Sequence, residues 1–471
     1  MSKKSRGLKD KAVPRSLAAS LASIRAGSAL AVDTAVQRVT GRPADTGDSA
    51  FARREARRFV RELGRLKGTY VKIGQMLALF GEQVLPRVLV EALRDLSDQT
   101  EPLHWDALES FVRSTLGERY GELDIDPEAV AAASLAQVHL AKIRSSGEWI
   151  CLKIQYPGLA QVIDADFDAV VRMLLVARWV RAGRELDDWM ESMREHLHNE
   201  IDYQREGAMT ERMARLSAQV SGPAVRYRVP RLHSRYCTDS VLAMEFVEGY
   251  SVADPDIARL SLERRNAIAR AMLELFFFEV YQWGLLQTDP NFGNYLLCLD
   301  DRRRKSGEDE LVLLDFGSVL EPDEAFLYHL RNAIDAGQRQ DVPALVESLI
   351  GLGCLPEDAT AEAQQTFADF CLHLLEPLRA PQNLPAEYLN EQGEYCWGRS
   401  QLVRRAGKQA ALSVASRHFT PPSRDFALIA RKLSGLFNFL ATLDAQFNAH
   451  DLLAEHIARW RRRQQRGAQR R

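Results

Sequence analysis

The sequence has few cysteines, and none of them lies in a metal-binding or redox arrangement. There are six in 471 residues, with no C-x-x-C pair and no histidines at zinc spacing beside them. This excludes a zinc ribbon and a disulfide-rich secreted scaffold, and it is typical of free thiols in a reducing compartment. We therefore expect a cytoplasmic protein.

Long apolar runs are also missing. No run reaches the roughly 18 residues that a membrane span requires. The longest, Met272 to Leu286, is interrupted by Glu274 and Glu279. Residues 16–39 are rich in alanine and mildly amphipathic, which favours a surface or docking helix over an anchor. We predict no transmembrane span.

A strong net charge is absent as well, since the formal value is −2. No global field therefore marks nucleic acid as a partner. The two ends of the chain are nevertheless basic, and their basic residues are Lys3, Lys4, Arg6, Lys9, Lys11 and Arg15, then Arg459, Arg461, Arg462, Arg463, Arg466, Arg470 and Arg471. Two interpretations stand: solvated, frayed termini, or peripheral attachment to the inner face of an anionic membrane, at about 1 kcal/mol per basic residue.

Periodicity predicts a helical start, a β-rich middle and a helical remainder. Strands are expected at 131–139, 149–154, 228–232, 240–247 and 311–314, and helices at 160–217, 261–283 and across 322–463. Strands followed by helices indicate an α+β fold with a small β-rich lobe and a larger helical lobe. We predict five segments: a leader, helix and linker (1–48), a helical extension (49–120), the small lobe (121–248), the large lobe (249–463) and a basic tail (464–471).

Three polar residues have the spacing that phosphoryl transfer requires. Asp289 precedes Asn294 by five positions, and Asp315 opens Asp-Phe-Gly directly after an apolar strand. In protein kinases an Asp orients the attacking hydroxyl, while an Asn and the Asp of D-F-G bind Mg²⁺. The joint order of both motifs across a hairpin predicts Asp289 as the catalytic residue, Asn294 and Asp315 as metal ligands, and ATP with Mg²⁺ as cofactors.

The strand Trp149 to Ile154 carries a lysine where a charge is costly. Alternation puts Ile150, Leu152 and Ile154 on a core face, and Lys153 on the opposite face with Trp149 and Cys151. A lysine there needs a partner unless it lies on an exposed edge strand. Kinases place their phosphate-binding lysine on such a strand, so we predict that Lys153 binds the α- and β-phosphates and that Cys151 lines the adenine pocket.

Acidic residues follow on the helical stretch Asn199 to Glu206. Asp202 and Glu206 are four positions apart and are expected to share one helix face, and Glu200 lies on the same stretch. The stretch is either an exposed acidic face or a cleft-facing group of three carboxylates that needs cations. Lys153 can neutralise one, and a metal or a second lysine must neutralise another.

Two further segments have the positions of nucleotide-binding backbone. The strand Ser240 to Val247 ends in an acidic turn, as the adenine-binding hinge of kinases does, which assigns Glu245 and Val247 to the cofactor site unless this is an ordinary buried strand. Ala131, Ala132, Ala133 and Ser134 stand where kinases have a glycine-rich loop. Alanine does not adopt positive φ cheaply, so we predict a stiffer loop over the phosphates.

Together these motifs resemble the UbiB/AarF family of atypical kinases, over about residues 55 to 335. The specific marks are Lys72-Ile73-Gly74-Gln75 (like K-x-G-Q), Glu200-x-Asp202 (like E-x-D), the Ala-rich loop, Tyr156-Pro157-Gly158, and Gln287-Thr288-Asp289-Pro290-Asn291, which is nearest to the mitochondrial coenzyme-Q kinase branch. The resemblance implies a protein-kinase-like fold whose N-terminal helices cap the active site.

The resemblance also assigns roles. Lys72, with Gly74 and Gln75, would belong to the cap and meet Glu200 or Asp202, while Glu206 would pair with Lys153. It implies an Mg–ATP-dependent atypical kinase or ATPase in isoprenoid-quinone or related lipid metabolism, with a quinone precursor or lipid as a partner. No A-P-E segment follows Asp315, which disfavours a conventional protein kinase. That activity and a nucleotide-binding scaffold with little catalysis are the alternatives.

Overall fold

The computed structural model describes residues 50–66, 68–80, 85–93, 96, 102–176, 179–180, 184–220, 225–300, 308–414 and 422–468. The leader and helix predicted at 1–48 and the end of the basic tail lie outside the described residues. The chain forms two compact units, the first of residues 1–208 with 231–246 and the second of residues 209–230 with 247–471.

The first unit contains an antiparallel four-stranded sheet in the order β1-β2-β3-β5. The strands are β1 (Leu123–Ala132), β2 (Ala136–Ile143), β3 (Trp149–Gln155) and β5 (Val241–Glu245). The turn between β2 and β3 closes at Gly147, whose φ of 73° suits glycine. Ile150, Leu152 and Ile154 of β3 are fully buried, as their alternation predicts.

Six helices complete the described part of the first unit. They are α1 (Ala50–Leu66), α2 (Thr69–Phe80), α3 (Arg87–Leu93), α4 (Trp105–Leu116), α5 (Leu159–Val176) and α6 (Arg184–Ile201). One apolar core joins α1–α3 to α5 and α6, and a second core joins α4 to the sheet. Helix α7 (Tyr203–Ser217) begins in the first unit and runs into the second.

Where the structure describes it, the second unit has two small sheets, ordered β4-β8-β7 and β6-β9. Their strands are β4 (Val225–Arg228), β6 (Leu286–Gln287), β7 (Tyr295–Cys298), β8 (Asp309–Leu313) and β9 (Val319–Leu320). Strand β4 runs parallel to β8, and the other pairs are antiparallel. The β6–β9 pair brings the segment that follows Gln287 to the segment that precedes Val319.

Helices make up most of the second unit. They are α8 (Pro255–Ala258), α9 (Leu262–Phe278), α10 (Glu324–Arg339), α11 (Val342–Gly351), α12 (Ala361–Leu374), α13 (Trp397–Ser400), α14 (Leu402–Val414), α15 (Arg424–Thr442) and α16 (His450–Ala468). Helix α9 continues into a π-helical turn, Glu279–Trp283, which ends at Gly284 with φ of 63°. A single apolar core joins α9 to α15 and α16.

The predicted α+β class is confirmed, but three predicted elements differ in detail. The helix expected over 160–217 is divided into α5, α6 and α7. The strand expected at 228–232 is instead β4, at Val225–Arg228. Its bounds are set by pairing with β8, which begins at Asp309, and local periodicity does not encode a partner that distant in sequence. The helical remainder is interrupted between α12 and α13 by short 3₁₀ turns.

Two predicted absences can be compared with the structure. Within the part of the chain that the structure describes, no helix is both long and apolar enough to span a bilayer. All six cysteines are free thiols.

Candidate functional site

In the first unit, the Lys153 ammonium on β3 contacts Glu206 on α7. Lys153 Nζ donates to both carboxylate oxygens of Glu206, at 2.7 and 2.9 Å. The Glu206 side chain is 2% exposed, whereas that of Lys153 is 22% exposed. Lys153 also lies over the Tyr203 ring, 5.3 Å from its centroid. A buried carboxylate that holds a half-buried lysine from behind leaves the ammonium oriented for an anionic ligand.

The position of Glu206 depends on a break in the chain at Asp202. Asp202 Oδ1 accepts the Arg205 N–H at 2.9 Å, and its carbonyl accepts the Glu206 N–H at 3.0 Å. Asp202 is therefore the N-cap of α7, a position that aspartate favours. The single helix predicted through Asn199 to Glu206 is wrong, because this cap begins a new helix. Asp202 is exposed and does not share one helix face with Glu206.

The K-x-G-Q segment lies on α2 and reaches one of the two predicted acids. Lys72 Nζ is 2.8 Å from Glu200 Oε1, with side chains 21% and 25% exposed. Gly74 instead faces apolar neighbours, since a Cβ there would overlap Leu96. Gln75 Nε2 donates to the Leu96 carbonyl at 3.4 Å. In this motif, therefore, lysine reaches the carboxylate, glycine permits close packing and glutamine binds neighbouring backbone.

The Ala-rich segment forms the turn between β1 and β2. Ala131 and Ala132 end β1, and Ala133 and Ser134 lie in the turn. The Ala133 N–H donates to the Ala136 carbonyl at 2.8 Å, and the Ala133 carbonyl accepts the Tyr156 hydroxyl at 3.1 Å.

Tyr156 holds this turn at a second point. Its N–H donates to the Leu135 carbonyl at 3.1 Å, and Ser134 is buried. A Cβ on Gly68, just before α2, would lie 4.0 Å from the Ser134 carbonyl oxygen. The turn is thus tied to the end of β3 and adjoins the start of the K-x-G-Q helix.

Cys151 lies two residues before Lys153 on the same face of β3 and is partly buried. Burial raises the pKa of its thiol to about 11. The group is therefore a protonated, weakly polar surface at neutral pH, which suits contact with a flat apolar ring more than nucleophilic chemistry.

At the end of β5, the backbone of the predicted hinge is partly occupied. The Glu245 N–H donates to the Arg231 carbonyl at 2.8 Å, and the Phe246 N–H donates to the Trp149 carbonyl at 3.2 Å. Val247 follows in a segment without regular structure. An adenine contact at Glu245 would therefore not use its N–H group.

In the second unit, Asp289 and Asn294 lie on the loop between β6 and β7. Asn294 Nδ2 donates to Asp289 Oδ2 at 2.8 Å. Asn291 caps the 3₁₀ turn Phe292–Asn294 by accepting the Gly293 N–H. This turn directs the Asn294 side chain back toward Asp289.

The Asp-Phe-Gly segment lies beside this loop. The Leu314 N–H donates to the Asn294 carbonyl at 2.9 Å, and the Thr288 N–H donates to the Ser318 carbonyl at 2.8 Å. Asp315 Oδ1 accepts the Gly317 N–H at 2.9 Å. These backbone bonds bring Asn294 and Asp315, which are 21 positions apart, next to each other.

The chemistry of this pair fits Mg²⁺. Asn294 uses its amide nitrogen on Asp289, so the atom it would offer a metal is the amide oxygen, and Asp315 would offer a carboxylate oxygen. Hard oxygen donors of this kind suit Mg²⁺, which keeps several waters and binds through one or two protein groups with substrate phosphates. Among the described residues no group of three or more His, Cys, Asp or Glu side chains is placed to hold a metal, and this pair does not require one.

Sequence reasoning missed two basic residues on α15. Arg431 Nη2 donates to Asp289 Oδ1 at 3.3 Å. Lys432 Nζ donates to the Gln287 carbonyl at 2.6 Å and forms a fully buried ion pair with Glu279. The available signal was an Arg-Lys dipeptide within an otherwise apolar helical stretch, which has no obvious place on a buried face.

Comparisons with known proteins show which family this sequence resembles. A family model described as "ABC1 atypical kinase-like domain" matches residues 95–349. "Atypical kinase COQ8, mitochondrial" of Saccharomyces cerevisiae is 27% identical over 85% of this chain and 76% of its own length. "Probable serine/threonine-protein kinase abkA" of Dictyostelium discoideum is 27% identical over 86% of this chain and 71% of its own length.

A solved structure extends the likeness to the fold. The chain in "The complex structure of Rv3197-erythromycin from Mycobacterium tuberculosis" matches with a TM-score of 0.56 and 23% identity. The match covers 85% of this chain and 94% of that chain.

Proposed function

Because the chain belongs to the ABC1 atypical kinase-like family, we propose that it is a UbiB-type atypical kinase or ATPase that uses Mg–ATP. The observation that carries the proposal is the convergence of Asp289, Asn294 and Asp315 in the second unit. The Asn294 side chain donates to Asp289, and its carbonyl accepts the N–H of the residue before Asp315. This supports one metal-binding pair beside one carboxylate, which is the minimal set for phosphoryl transfer.

Each residue that the proposal uses has a defined task. Asn294 and Asp315 would hold Mg²⁺, which would neutralise charge on the phosphates. Lys153, oriented by Glu206, binds the α- and β-phosphates. Asp289 orients the attacking hydroxyl or water and accepts its proton. The attacking oxygen forms a bond to the γ-phosphorus, the bond between the γ-phosphorus and the β–γ bridging oxygen breaks, and ADP leaves.

For the physiological role we propose support of isoprenoid-quinone or related lipid metabolism, with a quinone precursor or lipid as the acceptor or effector. The support is the likeness to relatives named as COQ8 atypical kinases. Peripheral contact with a membrane through the basic ends remains part of the proposal. The exposed arginines of α16, Arg459, Arg462 and Arg463, are consistent with it.

Protein phosphorylation is the second candidate, and the name of the Dictyostelium relative motivates it. The Lys72–Glu200 pair argues against it, because it ties the K-x-G-Q helix to the last turn of α6. A nucleotide-binding scaffold is the third candidate, and retention of Lys153, Asp289, Asn294 and Asp315 argues against that.

Titration with ATP tests the proposal directly. We expect the wild-type protein to bind and hydrolyse ATP with Mg²⁺, and both properties to be lost with EDTA or in Asp315→Asn. Asp358→Asn removes an exposed carboxylate from a turn of the same unit and should behave as wild type. Tight, magnesium-independent ATP binding by the wild type would contradict the metal assignment. ATP turnover is then measured with lipid vesicles or quinone head-group analogues and, separately, with a protein substrate. The addition that increases turnover identifies the class of acceptor.

A further inference from the structure

Helix α15 packs directly against the loop that carries Asp289. Three of its residues, about one helical turn in extent, contact the last residue of β6 and two residues of the loop. Arg431 donates to Asp289, Lys432 donates to the Gln287 carbonyl, and Gly435 lies so close to Pro290 that a Cβ at this glycine would overlap the proline ring.

This helix lies outside the part of the chain that the family model matches. The match ends at residue 349, whereas α15 spans Arg424–Thr442. Two edge-to-face contacts of Phe439, with Phe292 and Tyr295, extend the packing along the same loop. The loop with the proposed catalytic carboxylate is therefore completed by a helix distant in sequence.

The two basic residues of α15 act at different depths. Lys432 is fully buried with Glu279, and Gln287, whose carbonyl it binds, is buried as well. Gln287 in turn donates from Nε2 to the Asp289 carbonyl at 2.8 Å. Lys432 thus fixes the backbone on which Asp289 stands.

Arg431 acts on the Asp289 side chain itself. Its guanidinium meets Oδ1 at 3.3 Å, while Asn294 holds Oδ2 at 2.8 Å. Each carboxylate oxygen therefore has its own donor, and the two contacts together fix the rotation of the carboxylate. The side chains of Arg431 and Asp289 are 38% and 32% exposed. An ion pair this exposed contributes little to the free energy of folding. Its main effect is therefore on the orientation of the Asp289 carboxylate.

We propose that Arg431 is a positioning residue for Asp289, and that α15 is thereby part of the active site. This inference rests on the proposed function, because it assigns a partner to the carboxylate that orients the nucleophile. A small misplacement of such a group costs up to about a hundredfold in rate without a loss of binding. The predicted signature is a fall in kcat at nearly constant KM.

The test compares Arg431→Gln and Arg431→Lys with Arg259→Gln as control. Arg259 forms an exposed ion pair with Asp256 on α8 and has no described contact with the loop. For Mg–ATP hydrolysis we expect Arg431→Gln to lower kcat about 10- to 100-fold, with KM and an independently measured Kd for Mg–ATP within about threefold. Arg431→Lys should recover part of the rate, because lysine keeps the charge but not the planar donor geometry. The control should match the wild type.

Removing the Arg431 side chain adds a second measurement, rescue of the rate by free guanidinium, which a folding defect would not show. Arg431→Ala should be as slow as Arg431→Gln and should regain at least severalfold of its rate when millimolar guanidinium is added. The same addition should leave the wild type and Arg259→Gln unchanged.

The outcomes separate this inference from the proposed function. A wild type without Mg–ATP turnover would overturn both. If the wild type turns over ATP and Arg431→Gln keeps its kcat within twofold, this inference alone is wrong. A joint loss of kcat, nucleotide affinity and melting temperature, without rescue by lysine or guanidinium, would also overturn it, because Arg431 would then serve folding only.

Discussion

The buried pair of Lys432 and Glu279 gives the sharpest test of how the second unit is held together. The change is Lys432→Met, which keeps the length of the side chain but removes its charge. Both side chains are almost fully buried, at 5% and 1% exposed. The variant leaves the Glu279 carboxylate without its cation and the buried Gln287 carbonyl without its donor.

The expected loss of stability follows from leaving the Glu279 carboxylate buried without a cation. Removing one member of a buried ion pair costs about 3–5 kcal/mol, because the remaining charge is neither solvated nor paired. Methionine fills nearly the same volume, so a cavity adds little. For a domain of this size each kcal/mol lowers Tm by about 2–4 °C, which predicts a fall of about 6–20 °C.

The pH dependence fixes the cause. Burial raises the pKa of Glu279, and Lys432 opposes that shift. Without Lys432, only the Gln287 N–H still lowers the pKa of Glu279. Glu279 of the folded variant therefore takes up a proton at a higher pH than it does in the unfolded chain. For a carboxyl whose pKa is raised on folding, the penalty is present above the folded value and fades as pH falls toward the unfolded value. The Tm difference between variant and wild type should therefore be largest near pH 8 and shrink toward pH 5.

Differential scanning calorimetry of matched proteins measures this effect. The double variant Lys432→Met/Glu279→Gln has no buried charge and should recover most of the lost stability. Arg259→Met breaks the exposed pair with Asp256 and should change the free energy of unfolding by no more than about 0.5 kcal/mol. The reasoning is refuted if Lys432→Met lowers Tm no more than this control, or if its effect is the same at every pH.

Three further outcomes are expected. Lys72→Ala and Glu200→Ala remove the same ion pair, so both should change nucleotide turnover or autophosphorylation in the same direction, in an assay with labelled ATP. Cys151 should be alkylated slowly, because burial raises its thiol pKa to about 11, and more slowly still with Mg–ATP, as read by peptide mass spectrometry. Gly435→Ala should destabilise the protein by about 1–3 kcal/mol in urea unfolding and lower kcat, because its methyl group would overlap Pro290.

Each of these three predictions has a control or an outcome that would contradict it. Opposite effects of the two cap variants, or none, would contradict a shared restraint. Cys237, which is also partly buried, should react equally with and without nucleotide, and the same behaviour at Cys151 would remove it from the adenine pocket. Gly407→Ala, on α14 with open space around it, should be neutral or slightly stabilising, and an equal loss there would mean that the Gly435 effect is not specific.

Local pattern was sufficient for the elements whose partners are close in sequence. The alternation in Trp149 to Ile154 predicts both the strand and its buried face, because β2 and β3 form a hairpin. It was insufficient at Asp202, where the same residues suit a helix interior by periodicity and an N-cap by side-chain chemistry. The cap prevails because Asp202 accepts the N–H of Arg205.

The support for the candidate site could not be predicted from the sequence. Asp289, Asn294 and Asp315 are recognisable because their spacing is fixed by one hairpin. Arg431 is 142 positions from Asp289, and no local periodicity encodes a contact of that separation. The roles of the site residues remain predictions, although the structure places Lys153 against Glu206 and Asn294 against Asp289.

The parallel pairing of β4 with β8 determines the order in which the molecule can be completed during synthesis. Strand β4 emerges from the ribosome before β5, yet it pairs with residues that begin at Asp309. The first unit, for its part, is incomplete until residue 246 has been made. The chain passes between the units three times, so neither unit is a continuous segment that a single cut could release. Closing so long a loop is slow and entropically costly. We therefore expect β4 to remain unpaired, and exposed to chaperones and proteases, until β8 has been translated.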